Sequence, residues 1–173
     1  MHMDLHVKLA RQAVETYIRE REKISPPSNF PQDLSEKKAG VFVTISDEDG
    51  KIRGCIGTYQ PTKNSVAEEI IDNAISAATK DSRFKPLTES ELNRITYCIY
   101  VLSALEKVKN LSDLNPERYG ILLKAFSGKS ALLLPGLPGI ENAKEQFLVA
   151  CQKGGIDPDE KISIYRFKAQ KYE

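Results

Sequence analysis

From Gly40 the chain takes a strand-like period of two, and no other feature constrains the fold more. Val41, Val43 and Ile45 alternate with Phe42, Thr44 and Ser46. Asp47-Glu48-Asp49-Gly50 then turns the chain, and Lys51 to Tyr59 returns as a second strand. A strand followed at once by its own antiparallel partner does not belong to a regular alternation of strands and helices. The expected class is therefore α+β rather than α/β.

The flanking segments carry helical spacing. Asp4 is positioned to cap a helix running to about Arg21, with Leu5, Leu9, Ala13 and Tyr17 stacked and Ala10, Val14 and Ile18 beside them. Pro26, Pro27 and Pro31 make residues 24–38 a loop with one apolar anchor, Phe30 or Leu34. Ser65 and Glu68 form a capping box ahead of a helix to Lys80, whose buried stripe is Val66, Ile70, Ala74 and Ala77 or Ala78. Pro86 stops continuation, and Thr88 with Glu91 suggests another capping box. Residues 95–105, 119–126, 130–134 and 161–169 read as strands, the last with a slip, as of a bulge, between Ile164 and Tyr165. A further helix spans about Asn142 to Lys153 and ends at Gly154-Gly155.

Composition excludes several classes of function. The 173 residues are 40% hydrophobic and 28% charged, enough for a real core in one domain spanning 1–173. A net charge of +1 argues against a chain devoted to nucleic-acid backbones. No apolar run reaches membrane-spanning length, and the charged start is unlike a secretory signal, so a cytoplasmic location is expected. Cys55, Cys98 and Cys151 are odd in number and far apart, which reads as reduced thiols. Both histidines, His2 and His6, lie in the first six residues, so a histidine-based nucleophile machinery is not expected. No clustered Cys/His pattern points to zinc, and no metal or cofactor is expected. His2 and His6 stand four apart, as metal ligands on a helix would, but without the glutamate of a zinc-protease motif.

Two segments could carry chemistry. On a strand through Ile52-Arg53-Gly54-Cys55-Ile56-Gly57, Ile52, Gly54 and Ile56 would face the core, with Arg53, Cys55 and Gly57 on the other side. A guanidinium two positions from a thiol could activate it or hold an anion. Two glycines inside a strand imply close approach of a ligand or another backbone. The alternative is plain packing, with Cys55 an inert small hydrophobe. Asp81-Ser82-Arg83-Phe84 is the second segment: either a ligand clamp with a stacking wall, or an ion pair closing a helix end. Cys98 and Cys151 read as packing. Gly128-Lys129-Ser130 resembles the end of a phosphate-binding loop, but position 123 is leucine and no helix follows.

Gly40-Val41-Phe42-Val43-Thr44, Arg53-Gly54-Cys55-Ile56-Gly57, Asp81-Ser82-Arg83-Phe84, Leu132-Leu133-Leu134-Pro135 and Phe147-Leu148, in that order, resemble the AMMECR domain family over about residues 5–173. Tyr119-Gly120 stands where many members have His-Gly, Ile52 replaces a leucine, and no tryptophan precedes Phe147. The resemblance implies an α+β fold of two unequal subdomains around a mainly antiparallel sheet with flanking helices, with a cleft between them lined by the RGCIG element. It also implies suspected Memo-like and radical SAM partners in a three-component modification system. It implies no settled activity.

Two functions follow. In one, Cys55 is a thiolate nucleophile or covalent carrier, activated by Arg53 or Arg83 and served by the amides of residues 54–57. In the other, the chain is a binding module in which Arg53, Gly54, Gly57, Asp81, Arg83 and Phe84 hold a small molecule or a segment of a macromolecule. The second is preferred, since a nucleophile without an evident proton shuttle makes a poor enzyme. A regulatory role in nucleic-acid or translation machinery is a variant of it.

Overall fold

Asp4 opens the first helix as its place before an apolar stripe requires: its Oδ1 accepts the His6 N–H at 2.8 Å. The computed structural model describes residues 3–28 and 30–173; His2 lies outside them. In chain order the elements are α1 (Leu5–Glu20), α2 (Gln32–Ser35), β1 (Val41–Ser46), β2 (Ile52–Thr58), α3 (Val66–Thr79), β3 (Thr96–Leu102), β4 (Glu106–Val108), β5 (Gly120–Ala125), β6 (Ser130–Leu133), α4 (Ala143–Gly154), β7 (Ile162–Phe167) and β8 (Ala169–Tyr172). Short 3₁₀ turns occupy Glu89–Arg94 and Leu111–Asp113. The class is α+β, with the strands in two four-stranded sheets ordered β2-β1-β3-β8 and β4-β7-β5-β6. The chain divides accordingly into two units, residues up to Leu102 with Gln170–Glu173, and Ser103–Ala169.

In the first unit β1 alternates as its sequence demands. Val41, Val43 and Ile45 are fully buried beneath α3, while Phe42, Thr44 and Ser46 take the other face. Both helices contribute the expected stripes, Leu9, Ala10, Ala13 and Val14 from α1 and Val66, Ile70, Ala74 and Ala77 from α3. Leu5, at the first turn, stays 42% exposed. Leu34, on α2, is the buried anchor of the proline-rich loop, and Phe30 packs partly against the same core. At the head of α3 Ser65 Oγ accepts the Glu68 N–H, but the Glu68 carboxylate turns to the Asn64 N–H rather than completing the reciprocal bond.

The second unit has its own core of Ile121, Leu123, Ala131, Leu133, Ala150 and Cys151 between α4 and its sheet. Gly128, at φ 86°, turns the β5–β6 hairpin, so Gly128-Lys129-Ser130 is a strand connection and no phosphate loop. Residues 161–169 depart from expectation. They are not one bulged strand: β7 pairs with β5 in unbroken register from Ile162 to Phe167, and the chain then enters the other sheet as β8. The apparent slip at Ile164-Tyr165 reflects a strand half-buried on both faces, whose pattern carries no clean alternation. Residues 106–108 pair with β7 as β4.

Candidate functional site

The β1–β2 register breaks once, and the break falls on Arg53. Ile45 pairs with Gly54 and Ser46 with Ile52, leaving Arg53 as an extra residue in a β-bulge. Ile52, expected to face the core, is 49% exposed because the bulge inverts the alternation before Gly54. Arg53 is sent off the free edge of the sheet. Its Nε and Nη2 donate to Glu91 Oε1 and Oε2 at 2.7 and 3.3 Å, and its Nη1 donates to the Lys85 carbonyl at 2.9 Å. Every guanidinium nitrogen of Arg53 is thus committed within the protein.

Glu91 is the residue sequence reasoning placed only in a capping box, and it does both tasks. Its Oε2 also accepts the N–H and hydroxyl of Thr88, each at 2.9 Å. Partial burial works against its charge, yet Arg53 and Thr88 together hold its carboxyl below the ordinary range.

Asp81 ties the end of α3 to the same edge. Its side chain is 6% exposed. Oδ2 accepts the Cys55 N–H at 2.9 Å and Arg83 Nη2 at 2.7 Å, while Oδ1 accepts the Arg83 Nε and N–H at 3.0 and 3.1 Å. The bidentate Arg83 fork and these backbone donors outweigh desolvation and hold the Asp81 carboxyl far below the usual carboxylate range. Arg83 itself is 57% exposed. The half-buried Phe84 ring lies 5.2 Å from the Arg83 guanidinium carbon and 5.9 Å from that of Arg53, so the two arginines share one aromatic surface.

Cys55 is half-buried, and its Sγ lies 3.2 Å from the Thr44 hydroxyl on the facing strand. The register aligns Cys55, Thr44 and Cys98 in one row across β2, β1 and β3. The two neighbouring glycines are accounted for by packing. A Cβ on Gly54 would meet the Ala77 carbonyl oxygen of α3, and one on Gly57 would run into the Phe42 ring. Cys98 is half-buried and Cys151 buried; burial raises both thiol pKa values. His6 stacks on Tyr172 at 3.5 Å and bonds to Asp4. Among the described residues no cluster of three or more His, Cys, Asp or Glu side chains is arranged for a metal, and no helix is long and apolar enough to cross a membrane.

Thus Arg53, Cys55, Asp81, Arg83 and Phe84 meet at the β2 edge, with Glu91 and Thr44 added to them. Neither addition was legible: without the bulge, counting back from the Asp47–Gly50 turn leaves Thr44 short of Cys55, and Glu91, the partner of Arg53, lies 38 residues away.

Comparison with known proteins agrees with this arrangement of elements. A Thermotoga maritima protein is 41% identical over 169 residues, covering 97% of each chain. A Clostridium acetobutylicum protein is 36% identical across 98% of this chain, which spans only 36% of that longer protein. The crystal structure of an uncharacterized protein from Pyrococcus horikoshii superposes with a TM-score of 0.87 at 31% identity, covering 96% of this chain and 88% of the other. The AMMECR1 family profile matches residues 7–172, and on that match and these relatives the chain belongs to the AMMECR1 family.

Proposed function

We propose that the chain is a binding module whose β2 edge presents Arg83 and Phe84 to a group that is both anionic and aromatic. The observation that carries this reading is the state of Arg83. Its guanidinium is fixed on one side by a buried carboxylate, open to solvent on the other, and set against an aromatic ring. A fixed, half-solvated fork loses little freedom when a second acceptor arrives. Arg53, whose nitrogens are all engaged, acts by positioning Phe84 and the strand. Asp81 holds Arg83 and the Cys55 amide, and Gly54 and Gly57 permit the packing that keeps β2 in place. Cys55 contributes size and a thiol edge. Among the described residues the hydrogen-bonding neighbour of its Sγ is a threonine hydroxyl, a poor proton acceptor, which disfavours the nucleophile reading.

The module works within a larger modification system alongside Memo-like and radical SAM proteins. Support comes from the family resemblance, and from the Clostridium relative in which the matching region is about a third of a longer chain.

The test is a titration of the full chain with phenyl phosphate, followed by amide chemical shifts. Shifts should centre on residues 53–57 and 81–85, Arg83→Ala should weaken binding at least tenfold, and Cys55→Ala should leave it within a few-fold. A covalent adduct at Cys55 with an electrophilic probe, together with loss of binding in Cys55→Ser, would instead favour the catalytic reading.

A further inference from the structure

The face of the first sheet opposite α1 and α3 carries a groove of about 530 Å3 that the Arg83–Phe84 edge does not use. Its floor follows from register. Ser46 pairs with Thr96 and Thr44 with Cys98, so three short hydroxyls and a thiol lie side by side on β1 and β3, with Tyr100 one step further along β3. Among the described residues neither the Ser46 nor the Thr96 hydroxyl has a partner in the protein, so each has a donor and an acceptor to offer. Lys171 and Glu173 flank the groove and pair with each other at 2.5 Å.

These features select a chemistry. The Lys171–Glu173 pair sums to zero charge, so a bare anion or cation is drawn by one member and repelled by the other. A neutral hydroxyl group suits both, donating to Glu173 and accepting from Lys171. The exposed part of the Tyr100 ring offers a flat surface for the C–H face of a saturated ring or for a flat base, and the volume suits one or two such rings.

We propose that this groove binds a neutral polyhydroxylated ring, the sugar of a glycoside or of a nucleoside, stacked on Tyr100 with adjacent hydroxyls on Ser46 and Thr96. The groove site stands independently of the Arg83–Phe84 reading: Thr44, on the groove floor and beside Cys55, is the one side chain that borders both.

Methyl β-D-glucopyranoside and adenosine, titrated separately into the full chain and followed by amide shifts, test the proposal. Either probe should move the amides of residues 44–46, 96–100 and 171–173. Ser46→Ala/Thr96→Val, a near-isosteric change on an outer face, should weaken binding about tenfold through two lost hydrogen bonds. Tyr100→Ala should weaken it further, and Arg83→Ala should leave it unchanged. Binding of the glucoside alone assigns a glycoside, and of adenosine alone a nucleoside; both support the groove. The absence of shifts there with either probe into the tens of millimolar overturns it. So does adenosine binding that survives the double variant and disappears in Arg83→Ala, which would place the ligand at the β2 edge.

Discussion

Asp81 Oδ2 accepts the backbone N–H of Cys55 at 2.9 Å, across 26 residues of sequence. β2 is an edge strand, and this bond caps a donor that would otherwise face solvent or another chain. The same oxygen accepts Arg83 Nη2, so one carboxylate joins the strand edge to the exposed guanidinium.

Asp81→Asn should therefore cost about 2 kcal/mol at neutral pH, because it removes the charge from a buried acceptor of several donors. The sign of the pH dependence follows from the lowered folded-state pKa. The contribution is complete above the unfolded value of about 3.9 and is lost as pH falls toward the folded one. Urea denaturation of both proteins should show a constant difference from pH 5 to pH 8 that shrinks below about pH 4. A gap that stays unchanged in acid would mean that Asp81 is held by shape rather than charge.

Arg53 and Glu91 should be energetically coupled. Their side chains are 18% and 27% exposed, and two nitrogens of one fork meet both carboxylate oxygens. A double-mutant cycle of Arg53→Ala and Glu91→Ala should give a coupling of about 1 kcal/mol, at the top of the usual range for exposed pairs because the geometry is bidentate. Arg53→Lys should recover little of it, since an ammonium cannot reach two carboxylate oxygens and the Lys85 carbonyl together.

The local parts of this arrangement were legible in the sequence because they depend on neighbours. The hairpin follows from alternation around Asp47–Gly50, and the Asp81–Arg83 pair spans two residues. The bulge at Arg53 was hidden because a single extra residue leaves composition and turn chemistry untouched while reversing which side chain faces in. Ile52 was misplaced for that reason. The separation into two sheets was hidden as well: β8 pairs beyond the hairpins, and residues 161–169 contain no turn signal where the chain changes sheet. Glu91 advertised itself as a cap and gave no sign of Arg53, a partner that only tertiary structure brings near.

Gly54→Ala should be among the most damaging single-methyl additions in the chain. The new Cβ meets a helix carbonyl, which can move only with α3, whereas at Gly57 it meets the Phe42 ring down to Cγ, a clash that a swing of that side chain about χ1 relieves without moving backbone. Overpacking of this kind costs about 1–3 kcal/mol, and Gly54→Ala should fall at the upper end. Gly57→Ala should cost less and be largely rescued by Phe42→Ala; thermal denaturation of the three variants checks the order. If Gly57→Ala proves the worse of the two, Phe42 is locked and its ring is part of the rigid site.

The three thiols should separate by alkylation. Cys151 is 1% exposed, so it should react only through unfolding. Cys98 is half-buried, and burial raises its pKa. A higher pKa leaves less thiolate at a given pH, so the midpoint of its rate profile should lie above the ordinary thiol value of about 8.5. Iodoacetamide labelling resolved by mass spectrometry gives each profile separately. Filling the groove over Cys98 with methyl β-D-glucopyranoside should slow that site and leave Cys55 unchanged, since Cys55 stands on β2, beyond Thr44. Equal protection of both thiols would place the sugar across the whole row and extend the groove to the β2 edge.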